Sequence, residues 1–211
     1  MKSKVICPEL FALLAVALVL SLFTALERQQ QRISDSMLRL HVVANSDTEL
    51  DQAIKLQVRD AVLSAAEPIL SGANSAEDAK VMLSDNLFLL EDAANETLQA
   101  LGSGDTALVS LQRELFDARH YDTFSLPGGY YDALRVTIGS GEGHNWWCVV
   151  YPQICTAATT EDQRAVAVMA GISQEDYDTL AQDTEEYEFK FKILELFEAM
   201  METIRPALES F

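Results

Sequence analysis

Apolar residues follow three different patterns along this chain, and each pattern predicts a different kind of element. Residues 10–26 are almost entirely apolar, follow the basic residues Lys2 and Lys4, and meet no charge until Glu27. Farther along, apolar and polar residues alternate in short runs, which is typical of half-buried strands. Longer runs place apolar residues three or four positions apart, as amphipathic helices do. The pattern therefore predicts an N-terminal apolar helix followed by a domain of strands and helices.

Strands are predicted where the alternation is strictest. The first predicted strand covers residues 37–44, another begins at residue 111, and a closing strand covers residues 187–193. Residues 134–138 alternate and residues 146–151 are rich in Val and Trp, while the glycines between them predict a turn. These two runs are therefore predicted to form an antiparallel hairpin, and the strand from residue 111 is expected to pair with it.

Helices are predicted from caps and apolar spacing. Ser46 and Glu49 form a capping box that opens a helix, which we expect to end at Pro68. A second amphipathic helix is predicted from Ser75 to the stop at Gly102. Weaker helical spacing recurs at residues 174–182 and 194–204. The order of elements predicts an α+β fold, with helices packed on one face of a small, mostly antiparallel sheet.

Length and charge set the broad class of protein. The chain has 211 residues, with 15 Lys and Arg against 33 Asp and Glu, and a formal charge of −18. Binding to nucleic acid or to an anionic membrane surface is disfavoured, because both need clustered basic residues. The expected organisation is a signal peptide or membrane anchor at residues 1–26, a tether at 27–36 and a single extracytoplasmic domain at 37–205. Residues 156–186 form an acidic stretch of that domain, which we expect to be mobile.

The N-terminal segment is typical of a signal peptide or a signal anchor. Its apolar run is slightly shorter than the roughly 20 residues of an ordinary membrane span. No good cleavage site follows, because bulky Phe23 and Leu26 flank Ala25, the only candidate. We therefore favour an uncleaved anchor, with the rest of the chain outside the cytoplasm.

Cysteines and histidines supply three alternative chemistries. Cys148 and Cys155 form an even pair in a chain that we expect to be exported, which permits a disulfide. Alternatively, Cys148 is a nucleophile with His41 as its base, in an extracytoplasmic hydrolase. His144 cannot be that base, since it lies about 13 Å away along an extended strand. A zinc site built from these four residues is the third alternative, although the spacing of its cysteines is not typical of zinc fingers. We predict neither a metal nor another cofactor.

Two further features resemble ligand sites but are interpreted structurally. Gly139, Gly141 and Gly143 lead into a strand, whereas a phosphate-binding loop leads into a helix. The acidic pairs at residues 175–176 and 185–186 lie in the least patterned part of the chain. That position favours a solvated acidic face over a catalytic pair.

Polar and aromatic residues gather at two places near predicted loops, the end of the first strand and the mouth of the predicted hairpin. Loops on a rigid scaffold often carry binding residues. Adjacent Trp146 and Trp147 point to opposite faces of a strand, so one can lie in the core while the other is covered by a helix or anchors an interface. The candidate partner-binding residues are His41, Asn45, Asp47, Arg135, His144, Asn145, Trp146 and Trp147.

Several of these segments resemble a known family. Residues 38–47 have the sequence LRLHVVANSD, residues 133–139 have ALRVTIG and residues 143–152 have GHNWWCVVYP. Together with PGGY at residues 127–130 and FKILE at residues 191–195, these motifs resemble the stage II sporulation protein R family.

The resemblance implies a signalling protein and not an enzyme. Members of this family occur in endospore-forming bacteria, are made in the forespore and are exported into the space between the two septal membranes. There they trigger a membrane-embedded aspartic protease of the mother cell, which removes the pro-sequence of a sigma-factor precursor. The expected partner is therefore that protease, with no nucleic acid, and the membrane is expected to be contacted through the N-terminal segment only.

Overall fold

The structure, a computed structural model, describes residues 8–121, 124–153, 167 and 172–181. The chain divides into two compact units, one formed by Ile33–Ala181 and the other by Met1–Arg32 with Gln182–Phe211. The second unit is described only over residues 8–32. All the strands given below belong to the first unit.

Four strands of the first unit form one mixed sheet, and two short strands form a separate ribbon. In spatial order the sheet strands are β2 (Ala107–Phe116), β5 (Gly129–Ile138), β1 (Leu38–Val43) and β6 (Asn145–Tyr151). The ribbon pairs β3 (Arg119–His120) with β4 (Ser125–Leu126). β1 runs parallel to β5 and antiparallel to β6, and β2 runs antiparallel to β5. The predicted α+β class is confirmed, and two of the three pairings in the mixed sheet are antiparallel.

The predicted hairpin of β5 with β6 is wrong, because β1 lies between these two strands. Every residue of β1 is buried, and the strand is paired along both of its edges. The loop from β5 to β6 instead crosses the end of β1, where the amide of Gly143 donates to the carbonyl of Ala44 at 2.9 Å. Alternation identifies a strand, but it does not say which strand lies beside it. The expected pairing of the strand from residue 111 is confirmed, since β2 pairs with β5.

Helices account for most of the remaining described residues. They are α1 (Pro8–Asp35), α2 (Glu49–Leu70), α3 (Ala76–Asp85), α4 (Leu87–Ala100) and α5 (Gln174–Leu180). The apolar residues of α2, α3 and α4 form one core with a single face of the sheet, as predicted. α5 lies where helical spacing was predicted at residues 174–182.

Three helix boundaries differ from the sequence-based expectation. Thr48, and not Ser46, is the N-cap of α2, because its hydroxyl accepts a hydrogen bond from an amide of the first turn. α2 continues past Pro68 to its end, since a proline in the last turn removes only one backbone hydrogen bond. The helix predicted from Ser75 begins there but breaks at Asn86 into α3 and α4.

The two faces of β1 differ in character, and this difference positions the candidate site. Leu40 and Val42 are fully buried on the face that packs against the helices. Each such side chain stabilises the fold by about 1.5–3 kcal/mol. The opposite face, here called the outer face, carries Arg39 and His41, which are only 0% and 4% exposed. Two polar side chains are thus buried side by side along one strand.

The N-terminal segment forms α1, which also includes most of the predicted tether. Within residues 8–121, 124–153, 167 and 172–181, no helix has both the length and the apolar character needed to cross a membrane. The signal or anchor role of residues 1–26 stays a prediction. Other predictions lie outside the described residues: they concern Cys155, most of the acidic stretch 156–186, the closing strand 187–193 and the helix 194–204.

Candidate functional site

His41 lies at the centre of the outer face, between the side chains of two other strands. Its Nδ1 donates to Glu114 Oε2 of β2 at 2.7 Å, and its Nε2 lies 2.9 Å from Asn145 Oδ1 of β6. The ring stacks on Trp147 with 3.8 Å between ring centroids. Arg135 of β5 is the direct cross-strand neighbour on the other side. We call these five residues the histidine cluster.

The register of the sheet explains why these residues meet. His41 is paired with Trp147 on β6 and with Arg135 on β5, so all three side chains project from the same face. The structure therefore brings together four predicted candidates: His41 from the end of the first strand, Asn145 and Trp147 from β6, and Arg135 from β5. It also places His41 in the interior, where it cannot contact a partner protein directly. There it contacts Asn145 and Trp147 of β6.

Glu114 is the acidic member of the histidine cluster. Burial alone would raise the pKa of this carboxyl, but hydrogen bonds from Gln112 and His41 and the positive charge of Arg135 outweigh it, and the pKa lies below its ordinary value. Arg135 Nη1 lies 3.5 Å from Glu114 Oε1. Both ring nitrogens of His41 are engaged, one with Glu114 and the other with Asn145. This arrangement suits a structural role better than proton transfer to a substrate.

The depressed pKa of Glu114 predicts a pH-dependent contribution to stability. A carboxyl whose pKa is lower in the folded than in the unfolded chain stabilises the fold above the unfolded pKa. That stabilisation is lost as the pH falls through the folded pKa, which lies below the ordinary value of 4.5.

We therefore expect Glu114→Gln to lower the free energy of unfolding at pH 7 by about 1 kcal/mol, the usual difference between charged and neutral hydrogen bonds. The difference from the wild type should shrink in acid, as measured by urea unfolding between neutral pH and about pH 3. Glu96→Gln, at an exposed position of α4, is the matched control. A deficit of Glu114→Gln that stays constant over this pH range would contradict the role given to the carboxylate.

Arg39 lies beside the histidine cluster and was not recognised in the sequence. Its Nε donates to the carbonyl of Cys148 and its Nη2 to the hydroxyl of Tyr121, both at 3.0 Å. The guanidinium carbon lies 4.4 Å from the ring centroid of Phe116 and 5.1 Å from that of Tyr131. Arg39 thus ties β1 to β6, to β5 and to the chain next to the ribbon.

Two loops at the end of the sheet form the exposed part of the candidate site. The first comprises residues 44–48 between β1 and α2, the second residues 139–144 between β5 and β6, and together we call them the paired loops. The Oδ1 atom of Asn45 accepts from the amide of Ser140 at 2.9 Å, and the carbonyl of Asn45 accepts from the Ser140 hydroxyl at 2.9 Å. The same carbonyl accepts from the amide of Glu142 at 3.2 Å. One asparagine thereby fixes both loops.

Asp47 and His144 face solvent on the paired loops. Asp47 Oδ1 accepts from the amide of His144 at 2.6 Å and also contacts its Nδ1. The backbone hydrogen bond from His144 is the main reason that the pKa of Asp47 lies below its ordinary value. From beneath, buried Lys55 donates to the carbonyl of His144 at 2.9 Å, and its burial lowers the pKa of its ammonium. The side chains of His144 and Asp47 are 77% and 53% exposed, so the pair is rigidly held and accessible.

Glycines allow the two loops to approach this closely. Gly139 and Gly141 have φ of +55° and +65°, which favour glycine. At Gly143 a glycine is required because there is no room for a side chain: a Cβ atom there would lie 2.6 Å from the carbonyl carbon of Ser46. The glycine run predicted to be a turn therefore brings one loop against the backbone of the other.

The two tryptophans point to opposite faces, as their adjacency predicts. Trp147 is half-buried in the histidine cluster. Trp146 is 37% exposed next to the paired loops, and the guanidinium carbon of Arg59 from α2 lies 4.4 Å from its ring centroid. Trp146 is therefore a large aromatic residue exposed at this surface. Trp147 lies on the outer face of the sheet, in contact with His41.

Cys148 does not form the pair required by the hydrolase alternative. It is buried in the core on the helix side of the sheet, as the cross-strand neighbour of Leu40. His41 projects from the outer face, so the two side chains are separated by the sheet. In the described part of the chain no group of three or more His, Cys, Asp or Glu could hold a metal. No disulfide is seen among the same residues, and with Cys155 outside them the pairing stays a prediction.

The structure defines an α+β protein in which two interlocked, exposed loops lie near buried His41 and the side chains around it. The family described as stage II sporulation protein R (spore_II_R) matches residues 34–161. Stage II sporulation protein R of Bacillus subtilis (strain 168) is 34% identical over 158 residues, which cover 73% of this chain and 70% of that protein. The chain belongs to the stage II sporulation protein R family, as the motifs indicate, and this membership indicates a role in sporulation. No solved structure shows a significant match.

Proposed function

We propose that the chain is an exported sporulation signal that activates a membrane-embedded aspartic protease of the mother cell, which then processes a sigma-factor precursor. In this proposal the chain acts from the space between the forespore and mother-cell membranes. Family membership supports the biological setting. The observation that carries the binding surface is the paired loops, where exposed His144 donates its amide to Asp47 and accepts a hydrogen bond from Lys55 of α2 at its carbonyl.

A rigid loop surface suits a signalling ligand. Ordering mobile loops on binding costs free energy, so loops that are already fixed bind more tightly for the same contacts. Aromatic residues at the centre of an interface commonly supply most of the binding energy. Exposed Trp146, with Arg59 stacked on its ring, is the residue of this kind beside the paired loops.

Activation requires more than binding. A ligand shifts a conformational equilibrium only by the difference in its affinity for the two states. Moving a protease from about 1% to about 99% active takes roughly a 10⁴-fold preference for the active state. We therefore propose that the paired loops and Trp146 contact a surface of the protease that is formed in its active state only.

Reconstitution in a host that does not sporulate tests this function. The full chain, directed out of the cytoplasm, is expressed with the protease and the sigma-factor precursor, and precursor length is followed by immunoblotting. We expect shortening of the precursor only when all three proteins are present. A protease with its catalytic aspartates replaced by asparagine is the control. Full processing without this chain, or none with it, would refute the proposal.

A further inference from the structure

β2 is an edge strand, and side chains of α4 cover the first half of its free edge. The amide of Ala107 donates to Asn95 Oδ1 at 2.8 Å, and Asn95 Nδ2 donates back to the Ala107 carbonyl at 3.0 Å. The amide of Val109 donates to Glu91 Oε2 at 2.9 Å. These contacts show that the backbone groups of Ala107 and Val109 point away from β5.

The second half of the same edge has no such cover within the described residues. The register of β2 with β5 is unbroken from Ala107 to Phe116, so the backbone groups of Leu111, Arg113 and Leu115 point outward as well. Asn95 and Glu91 lie four residues apart on one stripe of α4, and the next position of that stripe is apolar Leu87, where the helix begins. The helix therefore offers no polar side chain to the edge beyond Val109.

The open half also carries exposed apolar side chains. Leu115 and Tyr130 are direct cross-strand partners that project from the same face, and they are 62% and 59% exposed. Edge strands are commonly protected by a proline, a bulge or charged side chains. β2 has neither proline nor bulge between Ala107 and Phe116, and its charged side chains Arg113 and Glu114 lie 3.9 Å and 2.7 Å from Asp35 and His41 of the same chain. Residues 111–115, here called the open edge, thus combine an apolar contact surface with backbone groups that no other described residue covers.

We propose that the open edge binds an extended, basic segment of a second protein, which adds a strand to the sheet. The basic character follows from charge, since the chain carries −18 and attracts a positively charged segment. A second copy of the chain fits less well, because it carries the same charge. An antiparallel pair centred on Arg113 would also place two arginines opposite each other.

The open edge is separate from the paired loops. The Ala107 end of β2 pairs with Ile138, next to the paired loops, whereas the Leu115 end pairs with Tyr130 at the far end of β5. The proposal therefore does not depend on the identity of the partner that the paired loops bind, and it can be tested with a synthetic peptide.

The probe is the peptide Lys-Val-Lys-Thr-Lys-Val-Lys, with acetylated and amidated ends, and its control has Glu in place of each Lys. Both are palindromic, so strand direction does not affect the pattern. Amide hydrogen exchange of the full chain is followed by NMR. In the free chain we expect fast exchange at Leu111, Arg113 and Leu115, and slow exchange at Gln112 and Glu114, whose amides face β5. Excess basic peptide should slow exchange at the first three amides, and the acidic peptide should not.

Arg113→Pro removes the central outward amide at an edge position where proline is tolerated. We expect it to weaken peptide binding about tenfold. Leu115→Lys is a second variant with the same expected direction, and Leu108→Lys, on the covered half, is the control that should bind normally. Unchanged binding by both variants, or peptide binding that leaves the three amides unprotected, would overturn the proposal. Protection that rises with protein concentration alone would also overturn it, because a second copy would then occupy the edge.

Discussion

Replacing Arg39 by alanine is expected to lower the free energy of unfolding by about 3–5 kcal/mol. The side chain is fully buried, and its removal leaves a cavity between Phe116 and Tyr131. It also leaves the carbonyl of Cys148 and the hydroxyl of Tyr121 without the hydrogen bonds that Arg39 donates. Urea unfolding at pH 7, followed by tryptophan fluorescence, measures the loss.

Two further variants at this position separate volume from charge. Arg39→Met removes the charge but keeps most of the side-chain volume. If the cavity is the main cause of the loss, Arg39→Met should lower the free energy of unfolding less than Arg39→Ala does. Arg39→Lys keeps the charge but loses the planar contact with the aromatic rings, and we expect an intermediate loss. A loss below about 1 kcal/mol for Arg39→Ala, the range of ordinary surface substitutions, would contradict a structural role for this residue.

Gly143→Ala is expected to lower the free energy of unfolding by about 1–3 kcal/mol, as overpacked positions do, and to abolish most activation of the protease. The new methyl group would meet backbone atoms of Ser46, which cannot rotate away as a side chain would. The two loops would have to separate, which breaks the hydrogen bonds that fix His144 and Asp47.

Gly104→Ala is the matched control for this substitution. It adds the same methyl group in a loop position where nothing lies within 4 Å of the new atom. Stability and activation should therefore remain close to those of the wild type. Equal behaviour of the Gly143 and Gly104 variants in both assays would show that the close approach of the paired loops is not needed.

The strands could be predicted from the sequence, but their neighbours could not. Alternation located β1 and β5, and Val and Trp content located β6. The insertion of β1 between β5 and β6 depends on contacts between residues about 100 positions apart, such as His41 with Trp147. A short glycine-rich connection usually indicates a hairpin, and here it crosses over a third strand instead.

The candidate site was only partly predictable for the same reason. His41, Arg135, Asn145 and Trp147 were recognised as candidates, and the register of the sheet brings them together. Glu114 was missed because the faces of β2 are mixed, so that only the pairing with β5 shows which side chains turn towards the outer face.

Arg39 was missed because an arginine that alternates with apolar residues is usually solvated. In the folded chain it is instead enclosed by aromatic rings from β2 and β5. The break at Asn86 was missed because apolar spacing continues across it from α3 to α4. Periodicity reports which face of an element is apolar, and it does not report what covers the polar face.

The claim that the paired loops and Trp146 form the activating surface is tested most directly by the reconstituted precursor-processing assay with His144→Ala and Trp146→Ala. The His144 side chain is 77% exposed, so its variant should keep nearly the stability of the wild type, whereas Trp146 is 37% exposed and its variant is compared at equal amounts of folded protein. We predict that the Trp146 variant loses activation about tenfold or more, that the His144 variant is also weaker, and that Gly104→Ala activates normally. Undiminished processing with both the His144 and the Trp146 variants, at equal protein levels, would contradict the assignment of this surface.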